Sequence, residues 1–118
     1  MGRIGELAVN TLEQNAEEAA AFLKMLASGP RLMLICHMTD QEISVSELAQ
    51  LTGMRMPTVS QQLALLRAQG LVATRRDGTT IYYRLASEVA REVLQLLQRH
   101  FCPPELLKAP AAASMAAD

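Results

Sequence analysis

The chain has 118 residues, of which 50% are apolar and 19% charged, and its formal net charge at pH 7 is −1. This length and composition suit one globular domain with one hydrophobic core and exclude a disordered chain. No apolar run approaches the roughly 20 residues of a membrane-spanning helix, and the N-terminus is too acidic and too interrupted for a secretory signal. We therefore expect a cytoplasmic protein that does not contact membranes and whose two cysteines are reduced.

Positive charge is concentrated in one part of the chain. Residues 55–84 contain five arginines and a single acidic residue, Asp77, whereas the rest of the chain holds six basic and eleven acidic residues. A dimer would present this basic stretch twice. An ordinary solvated surface is the alternative explanation, because charge alone does not identify a nucleic-acid-binding face.

The predicted elements begin with two helices. Thr11 and Gln14 have capping-box spacing and precede apolar residues at helical intervals, so we expect the first helix to start there. Ser28-Gly-Pro30 ends this helix, and Pro30 suits the first position of the next one, residues 30–38. Because the second helix is almost wholly apolar, we expect it to be central and buried.

Two short helices joined by a tight turn follow. Ser44 and Glu47 form a second capping box, ahead of a short helix that closes at Gly53. After a three-residue gap, Pro57 begins a longer helix that Gly70 ends. Two helices with a glycine in the connecting turn are typical of the helix-turn-helix motif.

The hydrophobic period then changes from helical to alternating. Two β-rich runs, residues 71–76 and 80–85, flank Asp77-Gly78, which predicts a hairpin. A last helix is expected over about residues 87–101, and the two prolines that follow it would stop it.

The predicted order is therefore ααααββα, a mainly α fold with a β-hairpin wing, which is a winged helix-turn-helix. We expect residues 1–108 to form one DNA-binding and dimerisation domain, and the alanine-rich residues 109–118 to be a disordered tail. An enzyme is not expected, because the sequence has no triad-like constellation, no glycine-rich phosphate loop and only two histidines without matching carboxylate spacing.

The second helix of the motif carries side chains suited to a DNA major groove. The predicted DNA-binding residues are Arg55, Thr58, Ser60, Gln61 and Gln62 in and before this helix, and Arg75, Arg76 and Thr79 in the wing. Glutamine binds adenine with two hydrogen bonds, serine and threonine reach base edges or phosphates, and the wing suits backbone or minor-groove contact. The alternative is a protein–protein module in which these side chains are merely solvated.

Dimerisation follows from the small size of one binding unit. A single copy reads only a few base pairs, so useful specificity implies a two-fold dimer on an inverted repeat of double-stranded DNA. The first and last helices lie outside the DNA-facing unit and are the natural dimer surface.

Several separate motifs resemble those of the ArsR/SmtB repressor family. They are Leu26-Ala-Ser-Gly-Pro-Arg-Leu-Met-Leu, Ser46-Glu-Leu-Ala, Thr58-Val-Ser-Gln-Gln-Leu, Leu65-Leu-Arg-Ala-Gln-Gly-Leu-Val and Ile81-Tyr-Tyr-Arg-Leu. The resemblance covers about residues 12–102. It implies a homodimer through the terminal helices and ligand-triggered release from operator DNA.

The metal sites of that family are not matched in this sequence. Ser44 and Ser46 stand where the soft-metal box has two thiolates, and serine does not replace thiolate for soft metals. On the last helix, Val89 stands where the zinc-type site has its first histidine, and Pro103 occupies the position of the partner that His100 would need. We therefore expect neither of these metal sites and no cofactor.

The two cysteines and the context Leu32-Met-Leu-Ile-Cys36 resemble the persulfide-sensing branch of BigR-, SqrR- and HlyU-type repressors. The resemblance implies that Cys36 and Cys102 are a redox-sensing pair, which reactive sulfur species such as persulfides, or other oxidants, join by a disulfide or polysulfide bridge, and that the bridge changes operator affinity. Two alternatives stay open. One is a regulator that senses a metal or another ligand at a non-standard site, and the other is an accessory regulator whose cysteines only fill space.

Overall fold

The structure, a computed structural model, describes residues 2–102, with side chains from Asn10 onward. Its elements are α1 Gly2–Leu26, α2 Gly29–Met38, β1 Ile43–Ser44, α3 Val45–Thr52, α4 Met56–Ala68, β2 Val72–Asp77, β3 Thr80–Leu85 and α5 Glu88–Phe101. The predicted class, mainly α with a β-hairpin wing on a helix-turn-helix, is confirmed. The predicted domain end at residue 108 and the predicted tail lie outside the described residues.

The first helix begins earlier than its sequence signal predicts. α1 is continuous from Gly2, so Thr11 lies inside it and the predicted start at Thr11 is wrong. A capping box starts a helix only where the backbone before it is non-helical. Here the helix continues on both sides of Thr11, and the carbonyl of Thr11 accepts a hydrogen bond from Asn15 Nδ2 at 3.1 Å.

α2 is the central helix of the domain, as predicted, although only one of its faces is buried. The hydroxyl of Ser28 caps its first turn by accepting a hydrogen bond from a main-chain N–H three residues later. Leu34, Ile35 and Met38 are at most 1% exposed, whereas Met33 is 51% exposed. The expectation of a helix buried all round therefore needs correction, because part of α2 borders an open cavity.

α3 and α4 form the predicted helix-turn-helix. The hydroxyl of Ser44 accepts a hydrogen bond from the Glu47 N–H at 3.3 Å, and Glu47 Oε1 accepts one from the Ser44 N–H at 3.2 Å, which completes the predicted capping box. Gly53 ends α3 at φ 76°, in the left-handed region where a residue with a Cβ would be strained.

The wing is a hairpin of β2 and β3 in which Asp77 pairs with Thr80. Its turn therefore consists of Gly78 and Thr79, one residue beyond the Asp77-Gly78 pair from which the sequence predicts it. Gly78 has φ 65°, and no residue other than glycine has a positive φ in the part of the chain that the structure describes. A positive φ at the first central position alone is the pattern of a type II′ hairpin turn.

A third strand completes the sheet and was not predicted. β1 pairs antiparallel with β3, with Ile43 opposite Tyr83, so the strand order is β1-β3-β2. Because β1 leads directly into α3, sheet hydrogen bonds attach the wing to the helix-turn-helix. The observed element order is ααβααββα, with one strand more than the sequence indicates.

The core receives side chains from every helix and strand. Its buried apolar residues are Leu26, Leu34, Ile35, Met38, Ile43, Leu48, Val59, Leu63, Leu66, Leu71, Val72, Leu85, Ala90 and Leu94. Polar contacts also fix α5: Arg91 Nη1 donates to the carbonyl of Thr39 at 3.0 Å, and Nη2 donates to the carbonyl of Leu85 at 3.4 Å. These two bonds join α5 to the end of α2 and to the end of β3.

Within residues 2–102, no single helix is long and apolar enough to cross a membrane. The part of α1 from Asn10 and α2 reach that length and apolarity only when taken together, across a bend of 86°.

Candidate functional site

The first turns of α4 present a polar, exposed surface. Thr58, Ser60 and Gln61 are exposed, whereas Val59 between them is fully buried. Arg55 is the N-cap residue, and its exposed side chain makes no capping hydrogen bond. The structure thus places four of the predicted DNA-binding residues at one end of α4, where their polar groups face solvent.

Gln62, the fifth of the DNA-binding residues predicted in and before this helix, has a hydrogen-bond partner within the protein. It is half-buried, and its Oε1 accepts a hydrogen bond from Arg31 Nη1 at 3.0 Å. The same guanidinium donates through Nε to the carbonyl of Met25 at 2.7 Å and through Nη2 to that of Lys24 at 3.4 Å. Arg31 therefore connects the end of α1 with α4.

The role of Arg31 is not evident from the sequence, because its contacts are distant along the chain. Gln62 is 31 residues away, and no periodicity or capping signal links the two positions. The available signal was the position of Arg31 in the first turn of α2, close to the last carbonyls of α1. A cation near the C-terminus of a helix is favourable.

The wing places its two arginines on opposite faces of β2, because successive side chains of a strand alternate. Arg75 Nε lies 2.8 Å from Glu42 Oε1, and its guanidinium lies 5.1 Å from the centre of the Tyr82 ring. The hydrogen bond from Arg75 and the negative charge of Glu42 raise the pKa of the guanidinium above its ordinary value. Arg75 therefore has partners on the protein although it is exposed, and Arg76 and Thr79 near the tip are exposed as well.

Both cysteines line one open cavity of about 400 Å³ between α2 and α5. The lining residues are Leu32, Met33, Cys36, Leu94, Leu97, Gln98, Phe101 and Cys102. Both thiols are free and half-buried. The structure thus brings together the two residues of the predicted sensing pair, which are 66 positions apart in the sequence.

Gln98 contacts both ends of this pair. Its Nε2 lies 3.5 Å from Cys36 Sγ, and its main-chain carbonyl accepts a hydrogen bond from the Cys102 N–H at 3.0 Å. Sequence analysis did not single out Gln98. Within the described part of the chain, no group of three or more His, Cys, Asp or Glu side chains is arranged to hold a metal ion.

The first and last helices carry exposed apolar side chains on their outer faces. Val89 and Leu96 on α5 are 57% and 45% exposed, and Leu12 and Leu23 on α1 are 59% and 57% exposed. A groove of about 410 Å³ runs along the outer face of α5, where Val89, Val93 and Leu96 alternate with Glu92, Gln95 and Arg99. These are the helices from which the sequence predicts dimerisation.

The helix-turn-helix, the basic hairpin and the polar end of α4 together define a winged helix-turn-helix regulator. The family model described as bacterial regulatory protein, arsR family, matches residues 23–74. The biofilm growth-associated repressor of Agrobacterium fabrum is 45% identical over 102 residues, covering 86% of this chain and 87% of that protein. The chain therefore belongs to the arsR family of bacterial regulatory proteins, as its motifs predict, and such regulators are not enzymes.

Two solved structures extend this comparison to the fold. Reduced HlyU from Vibrio cholerae matches with a TM-score of 0.74 and 36% identity, covering 79% of this chain and 98% of that one. The homodimeric winged helix-turn-helix DNA-binding domain of a Mycobacterium bovis protein matches with a TM-score of 0.65 and 36% identity, covering 73% and 80% of the two chains.

Proposed function

We propose that this protein is a transcriptional repressor that binds operator DNA as a homodimer and leaves it when reactive sulfur species link Cys36 to Cys102. The observation that carries the proposal is the cavity that both cysteines line, between a core helix and an outer helix. The relative from Agrobacterium fabrum is named a repressor, and the Mycobacterium bovis domain is named a homodimer that binds DNA.

In this proposal α4 is the recognition helix and enters the major groove. Gln61, which is exposed, offers both its amide oxygen and its amide nitrogen to a base, whereas Gln62 already accepts a hydrogen bond from Arg31. We therefore assign direct base contact to Gln61, and to Gln62 a second contact that depends on how Arg31 holds it. Thr58 and Ser60 contact base edges or phosphates.

Arginines supply the remaining contacts of the proposed DNA interface. Arg55 precedes the recognition helix and pairs with a phosphate. In the wing, Arg76 and Thr79 contact the backbone or the minor groove at the tip. Arg75 supports the wing through Glu42 and Tyr82, and its partly exposed guanidinium adds positive charge to the surface.

A second copy of the chain covers the apolar faces of α1 and α5 in this proposal. Exposed Leu12, Leu23, Val89 and Leu96 would otherwise remain in water, and burying each apolar side chain contributes about 1.5–3 kcal/mol at full burial. A two-fold dimer places two recognition helices on an inverted repeat about one helical turn apart.

The proposed linkage needs only a persulfide, RS–SH, as the oxidant. One cysteine thiolate attacks the outer sulfur, the S–S bond breaks, and RS⁻ leaves and takes a proton. The cysteine is now a persulfide, and each further transfer lengthens its sulfur chain by one atom. The second cysteine thiolate then attacks the next-to-last sulfur of that chain, hydrosulfide leaves, and a disulfide or polysulfide bridge remains. A direct disulfide needs Cα atoms within about 7 Å, whereas a longer sulfur chain spans a wider gap.

Intact-mass measurement combined with DNA binding tests this function. The reduced dimer first selects its binding duplex from a random library, and the affinity for that duplex is measured by fluorescence anisotropy before and after treatment with glutathione persulfide. We expect a mass change of two lost hydrogens plus any inserted sulfurs, and at least a tenfold loss of affinity, which corresponds to about 1.4 kcal/mol. Reduction with dithiothreitol should restore both.

Cys36→Ser and Cys102→Ser are the matched controls, and neither should form the bridge or change its affinity on treatment. The proposal would be refuted by a bridged dimer that binds the duplex as tightly as the reduced one. It would also be refuted if no bridge forms, or if Cys36→Ser still loses affinity on treatment.

A further inference from the structure

We propose that Gln98 is the positioning residue of the thiol pair: its side-chain amide holds the sulfur of Cys36 and makes Cys36 the first thiol to react, with Cys102 closing the bridge. This inference rests on the proposed sensing function and assigns an order to its two steps. Gln98 is suited to the role because its side-chain amide nitrogen lies 3.5 Å from the sulfur of Cys36, and because it lies one helical turn before Cys102.

The positions of the two cysteines in their helices make an amide donor important. The thiolate is the reactive form of cysteine. Cys36 lies in the last turn of α2 and Cys102 is the C-cap residue of α5, and the C-terminal end of a helix disfavours negative charge. A thiolate at either position therefore needs a compensating donor or cation.

The walls of the cavity provide one such donor. Apart from the two thiols, the described lining side chains are the apolar Leu32, Met33, Leu94, Leu97 and Phe101, together with Gln98. Gln98 Nε2 lies 3.5 Å from Cys36 Sγ, within the range of an N–H donating to sulfur. Hydrogen bonding to the charged form of a titratable group favours that form.

Nearby cations do not replace this donor. Burial lowers the pKa of His37, the residue next to Cys36, below its ordinary value of 6.5, so its ring is neutral at pH 7. Arg99 and His100 are exposed on α5 and do not line the cavity. Among the contacts of the described residues, no side-chain hydrogen bond reaches the sulfur of Cys102, which makes it the second thiol to react.

The order of reaction follows from this asymmetry. The Cys36 thiolate, held by the Gln98 amide, attacks the outer sulfur of the persulfide, and RS⁻ leaves and takes a proton. Cys102 then attacks the next-to-last sulfur of the chain on Cys36, and hydrosulfide leaves. Cys102 supplies the second thiol because it lines the same cavity, one helical turn after Gln98.

A charge series at position 98 tests the inference on Cys36 alone. The chain has two cysteines in all, so in a Cys102→Ser background the rate of alkylation by iodoacetamide at pH 7 reports on Cys36. Iodoacetamide is uncharged, so the rate is not altered by electrostatic attraction of the reagent. We expect Gln98→Met to react about fivefold more slowly, since it keeps the length and loses the donor. Gln98→Lys should react faster than the parent, and Gln98→Glu should be the slowest.

Gln50→Met is the matched control, because Gln50 is exposed on α3 and does not line the cavity, and its rate should equal that of the parent. Thermal unfolding shows whether each variant is folded, so that a changed alkylation rate is not confused with loss of the fold. If Gln98→Met does not fold, the nearly isosteric Gln98→Glu is compared with the parent instead. Equal rates for parent, Met and Glu variants would overturn the inference, as would rates that follow side-chain size and not charge.

The failure of this inference is distinguishable from the failure of the proposed function. If the full chain forms the bridge and loses DNA affinity while the alkylation rates do not depend on position 98, only the role of Gln98 is refuted. If the rates follow the charge series but persulfide forms no bridge, the sensing function is refuted and the Gln98–Cys36 contact stands.

Discussion

Replacing Arg31 by methionine removes the guanidinium that joins α1 to the recognition helix while keeping most of the aliphatic stem. Two short hydrogen bonds are lost, one of 2.7 Å to the carbonyl of Met25 and one of 3.0 Å to Gln62 Oε1. Hydrogen bonds to charged groups contribute about 1.5–3 kcal/mol, and neutral ones about 1 kcal/mol. Because Arg31 is only half-buried, solvent weakens each bond, and we expect a total loss of about 2 kcal/mol.

Gln62→Met removes only the second of these bonds, because Arg31 keeps its contact with Met25. Its expected cost is about 1 kcal/mol. In the double variant the same bond cannot be lost twice, so the two effects should not add. The double-mutant cycle should give a coupling energy of about 1 kcal/mol between positions 31 and 62.

Urea denaturation of the four proteins measures these energies, and it is done at one protein concentration because the proposed dimerisation would contribute to stability. For a chain of 118 residues, 2 kcal/mol corresponds to a lowering of Tm by roughly 8 °C. Arg31→Lys serves as the second variant: one ammonium does not reproduce the planar guanidinium that reaches three acceptors, so a lysine at this position should restore little of the coupling with Gln62. Effects of Arg31→Met and Gln62→Met that add within about 0.3 kcal/mol would refute the connection between α1 and the recognition helix.

Two further predictions concern the dimer surface and pH. Leu96→Glu should shift the protein towards monomer in analytical ultracentrifugation, because the charge enters the proposed interface, whereas Leu65→Glu, which replaces an equally exposed leucine on α4, should leave the dimer intact. Burial lowers the pKa of His37 in the folded state, so the unfolded chain binds its proton more tightly. The contribution of the neutral His37 ring to the free energy of unfolding is fully present above pH 6.5. It decreases as the pH falls from 6.5 through the lower pKa of the folded state. His37→Gln should flatten this part of the stability profile, and an unchanged slope below pH 6.5 would contradict the burial of its ring.

The elements that sequence analysis located carry strong local signals. Ser28, Ser44 and Ser87 cap the helices that follow them, and each hydroxyl accepts a main-chain hydrogen bond from a residue three positions later. Gly53 and Gly70 end helices in the left-handed conformation that glycine permits. Such signals depend on neighbours within a few positions, so a single sequence reveals them.

The features that were missed depend on distant partners. β1 has only two residues, too few to show alternation, and it exists because Ile43 lies opposite Tyr83 of β3. The ion pair of Arg75 with Glu42 spans 33 positions, and the bond from Arg31 to Gln62 spans 31. The prediction that the first helix starts at Thr11 is wrong for the opposite reason. Thr11 has a local capping signal, but the residues on both sides of it are helical.

The candidate thiol site was predictable as a pair of residues, but its environment was not. Family resemblance selects Cys36 and Cys102, yet nothing in the sequence places Gln98 against Cys36, 62 positions away. The apolar walls of the cavity are likewise the result of packing α5 against α2. The residues that react were therefore accessible from sequence, whereas the residue that distinguishes one thiol from the other required three-dimensional structure.

α2 connects the proposed sensing site to both parts of the proposed DNA interface. Its first turn contains Arg31, which bonds to the recognition helix, and its last turn contains Cys36. The carbonyl of Thr39, just beyond α2, accepts a hydrogen bond from Arg91 of α5, which also bonds to the last residue of the wing strand β3. A bridge from Cys36 to Cys102 would thus act between two helices that are each bonded to one DNA-facing element. If the switch works through these bonds, Arg31→Met should reduce the difference in DNA affinity between the reduced and bridged forms, even though the bridge forms at the same rate. An undiminished difference would mean that the signal passes through the dimer interface alone.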